Sequence, residues 1–161
     1  MRAAPRRVLT SSLLSFLARP LSHTQAALCK GKRVVFFGLP GAFTPGCSAT
    51  HLPGYVQKAD AIKAKGVAEI VCVSVNDPFV MAAWGAAHKA EGKVRMLADT
   101  NAELTKALGV DMNLAVLGGV RSKRWSAIVD DGAITAWNLE PESAPTGLTC
   151  SLAPAILEKL A

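Results

Sequence analysis

A chain of 161 residues, half of them hydrophobic and 19% charged, is long enough to close one buried core and too apolar to be disordered throughout. Its formal charge of +6 is uneven: residues 1–29 hold Arg2, Arg6, Arg7 and Arg19 with no acid, while residues 30–161 set 14 basic against 12 acidic side chains. A nearly balanced domain behind a basic tail argues against nucleic acid as a partner, and no apolar run approaches the length that crosses a bilayer.

The tail, Met1 to Cys29, is rich in Arg and Ser, and Val8, Leu9, Leu13, Leu14, Phe16 and Leu17 can line one helical face. That is the pattern of a mitochondrial transit peptide. A secretory signal would need a longer unbroken apolar stretch, and a basic amphipathic helix on a membrane surface is a third option. The expectation is a leader over residues 1–29 and a single domain over residues 30–161. The destination is then the mitochondrial matrix, or the cytoplasm where the leader is not used. The last residues, Glu158 to Ala161, do not form a peroxisomal tripeptide.

Arg33 to Gly38 is a short apolar run closed by Gly-Leu-Pro and reads as a buried strand. From Ser48 to Lys65, Leu52, Tyr55, Val56, Ala59 and Ile62 recur at helical spacing, with Gly66 as the stop. Val67 to Val75 reads as a second strand, running into Asn76-Asp77-Pro78, a cap with proline in the first helical turn. The next helix, Phe79 to Ala90, carries Val80, Trp84 and Ala87 on one side. A strand at Lys93 to Ala98, a short helix at Asn101 to Leu108 and an irregular Gly-containing stretch to Val120 follow. Trp125–Val129 and Ala133–Leu139 flank Asp131-Gly132, a hairpin signal, and Ser151 can cap a last helix to Leu160. Parallel crossovers come first and an antiparallel hairpin last, which specifies an α/β fold of the thioredoxin-like class: a central mixed sheet flanked by helices.

The loop Pro40-Gly41-Ala42-Phe43-Thr44-Pro45-Gly46-Cys47 joins the first strand to the first helix and sets a thiol at a helix start. Free N–H groups and the positive end of the helix dipole favour the thiolate there. Thr44 can aim a hydroxyl at the same point, and Pro45 stiffens the approach. Cys29, Cys47, Cys72 and Cys150 do not form a CxxC pair, and the chain is large enough not to need a disulfide framework. Cys47 and His51 alone are too few ligands for zinc, so no metal is expected. A Cys-His hydrolase lacks its supporting residues; His51 reads as a structural histidine bonded to the active-site loop. Trp84 and Trp137 read as core residues, and His23 and His88 as exposed ones.

From Lys30 to Leu160 the chain resembles the peroxiredoxins, and within them the type-5 group. The resemblance rests on the octapeptide ending at Cys47, on Thr50-His-Leu-Pro-Gly54, Val73-Ser-Val-Asn-Asp-Pro-Phe-Val80, His88-Lys-Ala-Glu-Gly-Lys93, Lys123-Arg-Trp-Ser126 and Thr146-Gly-Leu-Thr-Cys-Ser-Leu152. It implies a thioredoxin-dependent peroxidase that reduces hydrogen peroxide, alkyl hydroperoxides and peroxynitrite without any cofactor. Cys47 would be the peroxidatic cysteine, Thr44 would hydrogen-bond peroxide and thiolate, and Arg124 would be the cationic partner. Pro40, Thr44, Gly46 and Arg124 would line the peroxide site. The sulfenic acid formed on Cys47 needs a second thiol. Cys150 matches the resolving position of animal type-5 enzymes, which form an intramolecular disulfide; Cys72 matches that of plant type-II relatives; Cys29 is assigned to the leader.

The resemblance also implies a β-hairpin ahead of the first strand, where this chain has its leader. Without the hairpin, apolar surface and strand edges would favour a homodimer or instability, and the chain could act as a redox-sensing or binding module that does not turn over. A general disulfide oxidoreductase is argued against by the lack of CxxC.

Overall fold

The computed structural model describes residues 28–161, so His23 and most of the expected leader lie outside the described residues. Seven strands and four α-helices follow in order: β1 Arg33–Leu39, α1 Leu52–Lys63, β2 Glu69–Ser74, α2 Pro78–Ala87, β3 Arg95–Ala98, α3 Glu103–Ala107, β4 Asp111–Leu114, β5 Gly119–Ser122, β6 Trp125–Asp130, β7 Ala133–Leu139 and α4 Ala153–Lys159. The main sheet runs β3-β2-β1-β6-β7. β1 is parallel to β2 and antiparallel to β6, so the sheet is mixed at its centre. The thioredoxin-like expectation holds.

β1 is central because nearly all of it is apolar and both of its faces are covered. One face sends Val35, Phe37 and Leu39 into a core with Tyr55, Ile62, Trp84 and Ile156. The other packs Val34 with Val71, Val73, Trp125 and Ala127. Gly38 sits opposite Trp125 in the antiparallel register, and the Trp125 indole occupies the space a side chain on Gly38 would need. Only glycine fits there, and the close approach seats the chain just after Arg124 against the strand that leads into the Cys47 loop.

Helix α1 buries the five apolar residues expected of it, and Gly66, at φ +81°, ends the turn beyond it. Asp77 caps α2 by accepting from the Val80 N–H at 2.9 Å, with Pro78 in its first turn. Asp131 and Gly132 both take positive φ and close the β6–β7 hairpin.

Some expectations are corrected. Helix α2 buries Met81, Trp84 and Gly85, not Val80 and Ala87. Alanine and valine alternatives in a uniformly apolar helix give no phase, and packing of Gly85 against Met96 and of Trp84 against the Cys47 turn sets the rotation. The irregular stretch to Val120 contains a hairpin, β4 on β5, too short and too polar to announce itself. Ser151 does not cap α4: its hydroxyl donates to Glu140 at 2.8 Å instead, and the helix begins without a side-chain cap. Trp137 is only partly buried, stacked on Trp125 at 5.1 Å, and His88 is partly covered, edge-on to Trp84. Cys29 packs with Leu28 and Val129 on the sheet, inside the folded domain.

Candidate active site

The octapeptide loop is fixed from beneath. The Ala42 N–H donates to Asn76 Oδ1 at 3.0 Å, and that oxygen also accepts from the Ser74 hydroxyl at 2.7 Å. Thr44 Oγ1 donates to the Gly41 carbonyl at 2.8 Å, closing the turn that precedes the helix. The Thr44 hydroxyl proton is thereby spent inside the loop, and its oxygen lone pairs remain as acceptors.

Helical backbone begins at Pro45, a residue suited to a first turn because it has no N–H to leave unpaired. The Ser48 N–H bonds to the Thr44 carbonyl at 2.9 Å. From Cys47 to His51 the turn is then widened: the Leu52 N–H reaches back five residues to the Cys47 carbonyl. This one wide turn buries Cys47 and His51 together. Trp84 Nε1 donates to the Ser48 hydroxyl at 3.0 Å and pins the same turn from the side.

Opposite the turn stands Arg124, between β5 and β6. Its main chain is held at both ends, by the Pro145 carbonyl and the Glu140 N–H. Its guanidinium is buried, with the residue 3% exposed, and has no carboxylate partner among the described residues. Nη1 points to Cys47 Sγ at 3.4 Å and to His51 Nδ1 at 3.0 Å, and Nε donates to the Thr146 carbonyl at 3.3 Å. Cys47 is 1% exposed. A buried cation without a carboxylate is costly, and Cys47 Sγ and His51 Nδ1 are the buried acceptors set against it.

His51 bonds to Arg124 and, through Nε2, to the Ser151 carbonyl at 3.2 Å, rather than to the octapeptide loop as the sequence suggested. Its tautomer follows from its partners. A guanidinium can only donate and a carbonyl can only accept, so Nδ1 is bare and Nε2 carries the proton. Burial, with the Arg124 charge beside it, lowers its pKa from 6.5 to about 3. The ring is therefore neutral at any ordinary pH and positions Arg124.

This has a measurable consequence. The unfolded chain protonates this imidazole near pH 6.5 but the folded chain only near pH 3, so the unfolded state binds more protons between the two. The stability contributed by the neutral ring is complete above about pH 6.5 and is lost as pH falls toward 3. The melting temperature is expected to decline from about pH 6 to about pH 4, with a shallower decline in His51→Asn, whose amide cannot take up a proton. Equal slopes in the two proteins would remove His51 as the cause.

The structure thus brings together Cys47, Arg124 and, through its loop, Thr44. Pro40 is buried below them, and Gly46 lies against Arg124 and Leu148, where an added Cβ would just touch both. Cys150 is partly exposed on the loop after β7, and its thiol donates to the Leu139 carbonyl at 3.4 Å. Cys72 is fully buried on β2, where burial, reinforced by Cys47, raises its pKa well above the usual value. Sequence reasoning passed over three residues that hold the site: Asn76, read only as part of a cap; Trp84, read only as core; and Glu140, which carried no signal.

Residues 10–151 match the Redoxin family model, a stretch that begins inside the expected leader. The chain is 49% identical over 115 residues to Peroxiredoxin-2B of Arabidopsis thaliana, covering 71% of each. It superposes on reduced Prx3 of Vibrio vulnificus in complex with H2O2 with a TM-score of 0.81 and 51% identity, covering 86% of this chain and 83% of the other. Peroxiredoxin 5 of Alvinella pompejana gives a TM-score of 0.73 and 37% identity over 84% and 82%. The fold and its buried thiol define a thiol-dependent peroxidase. The chain belongs to the Redoxin family and, within it, is a peroxiredoxin.

Proposed function

We propose that this peroxiredoxin works by an intramolecular two-cysteine cycle of the type-5 kind, with Cys47 as the peroxidatic and Cys150 as the resolving thiol. The observation that supports it is the buried Arg124 guanidinium donating toward Cys47 Sγ. Sulfur attacks one peroxide oxygen, the S–O bond forms as the O–O bond breaks, and the departing oxygen carries negative charge until it takes a proton. A fixed, desolvated cation lowers the energy of that charge more in the transition state than before it. Thr44, with lone pairs free, accepts from the proton of the bound peroxide, and Pro40 and Gly46 shape its entry. Hydrogen peroxide and alkyl hydroperoxides fit this chemistry, and peroxynitrite, which breaks the same bond, is a third substrate.

Cys150 then attacks the Cys47 sulfenic sulfur, the S–S bond forms and water leaves. A thioredoxin-like dithiol reduces the disulfide. Exposure favours Cys150 over Cys72, which would have to leave the middle of the sheet to react. The full chain is expected to consume thioredoxin reductant continuously on addition of peroxide; one stoichiometric burst would overturn the cycle and leave a sensor. Cys150→Ser is expected to undergo one oxidation and then stop. Sustained turnover in that variant would return the resolving role to Cys72.

Exposed Phe43, Phe79 and Val116 supply apolar surface for a homodimer. The acid-free Arg- and Ser-rich N-terminus supports a mitochondrial address. The family match from residue 10 favours the alternative, that this segment belongs to the domain, and an import assay with and without residues 1–27 decides between them.

A further inference from the structure

Glu140 is a buried carboxylate that the peroxidase cycle does not use. It is 1% exposed, directly after β7, and both of its oxygens are taken. Oε1 accepts from the Thr149 N–H at 2.8 Å, the Ser151 N–H at 3.0 Å and the Ser151 hydroxyl at 2.8 Å; Oε2 accepts from the Thr149 hydroxyl at 2.5 Å. One side chain thus grips the residue on each side of Cys150 by main chain and hydroxyl together. Gly147 completes the enclosure, since a side chain there would meet Glu140 Oε2 and the Ala144 carbonyl.

The same grip reaches the peroxide site. Ser151, held at its N–H by Glu140, offers its carbonyl to His51 Nε2 and to the Tyr55 hydroxyl at 2.8 Å, and His51 in turn accepts from Arg124. Four links therefore run Glu140, Ser151, His51, Arg124, with Cys47 at the end. While Glu140 holds the loop, the Cys150 thiol faces the Leu139 carbonyl and the guanidinium stays braced against Cys47. A move of Cys150 toward Cys47 would pull against the bonds that Thr149 and Ser151 make to Glu140 and that Ser151 makes to His51.

We propose that Glu140 is the latch on the resolving loop: it keeps the peroxide-reactive arrangement closed, and its release gates the attack of Cys150 on the oxidised Cys47. It is a positioning residue, acting through Thr149, Ser151 and His51, and it rests on the reading that Cys150 resolves. The latch is not a pH switch. Burial alone would raise the Glu140 carboxyl, but the hydrogen bonds from Thr149 and Ser151 outweigh it and lower the pKa to about 2, so the group stays charged at any physiological pH. Burial, together with the Glu140 charge, also raises the Cys150 thiol, so the closed loop favours its protonated form.

A latch opposes resolution, and slow resolution exposes the sulfenic acid to a second peroxide. In the full chain, Glu140→Gln replaces charge-assisted bonds by neutral ones. It is expected to raise the peroxide dose that half-converts Cys47 to sulfinic acid by about fivefold, and to speed disulfide formation by a similar factor. Thr149→Val, an exposed position that gives up one hydroxyl bond, should move both quantities the same way by about twofold. Amide exchange at Thr149 and Ser151 should quicken in both variants while β1 amides do not change. A merely structural Glu140 would slow peroxide reduction and resolution alike, and an unchanged or lowered half-conversion dose in both variants overturns the latch. Cys150→Ser separates this from the reading beneath it. If that variant still forms a Cys47 disulfide, the resolving assignment has failed; if it does not, and the dose is still unmoved in the Glu140 and Thr149 variants, only the latch has.

Discussion

Cys47→Ser is expected to bring peroxide-dependent turnover below detection, a loss of at least about 10⁴-fold. The step is a nucleophilic displacement at oxygen, and a hydroxyl is both protonated at neutral pH and a poor nucleophile toward a peroxide. No other thiol can substitute. Burial, helped by Glu69, raises Cys29; burial, helped by Cys47, raises Cys72; burial, helped by Glu140, raises Cys150. Of the four thiols, Cys47 is the one that receives a hydrogen bond from a guanidinium. Reductant consumption in the thioredoxin-coupled assay is the measurement, with thermal unfolding to show that the serine variant is folded. Turnover within tenfold of the unaltered chain would remove Cys47 from its role.

Arg124→Lys is expected to lower the second-order rate with hydrogen peroxide by about 100- to 1,000-fold, the usual effect of removing one donor aimed at developing charge. The charge is conserved, so the loss measures geometry. Arg124 serves the Thr146 carbonyl through Nε while Nη1 faces both Cys47 Sγ and His51 Nδ1. A lysine has one compact ammonium and cannot span those three groups. Cys47 or His51, if left, is buried and unpaired, at about 1–3 kcal/mol, so the melting temperature should fall as well. Alkylation of Cys47 by iodoacetamide separates the two effects. That reaction puts no negative charge on a leaving oxygen, so it should slow less than peroxide reduction. Equal losses in the two reactions would mean that Arg124 acts only on the sulfur and not on the departing oxygen.

Much of the fold was legible because it is written in local patterns. The five buried positions of α1 follow from a 3.6-residue period, the cap of α2 from Asn76-Asp77-Pro78, and the last hairpin from Asp131-Gly132. The rotation of α2 was not legible, since its residues are apolar almost all round and only packing against Met96 and the Cys47 turn chooses a face. Ser151 shows the same limit: a serine before an apolar stretch reads as a cap, but a buried carboxylate eleven residues earlier claimed its hydroxyl.

The sequence by itself determined the thiol, its loop and its class, because reactive-thiol chemistry needs a few residue types at short spacing and those types are contiguous at residues 40–47. Tertiary structure alone decided what surrounds that thiol. The distance of Arg124 from Cys47, the bare Nδ1 of His51 and the grip of Glu140 on Thr149 and Ser151 join segments as much as 100 residues apart. Those pairings exist only once β1, β6 and β7 lie side by side. The burial that gives them their strength, by excluding water from a cation, an imidazole and a carboxylate, is a property of the closed core and of no single segment.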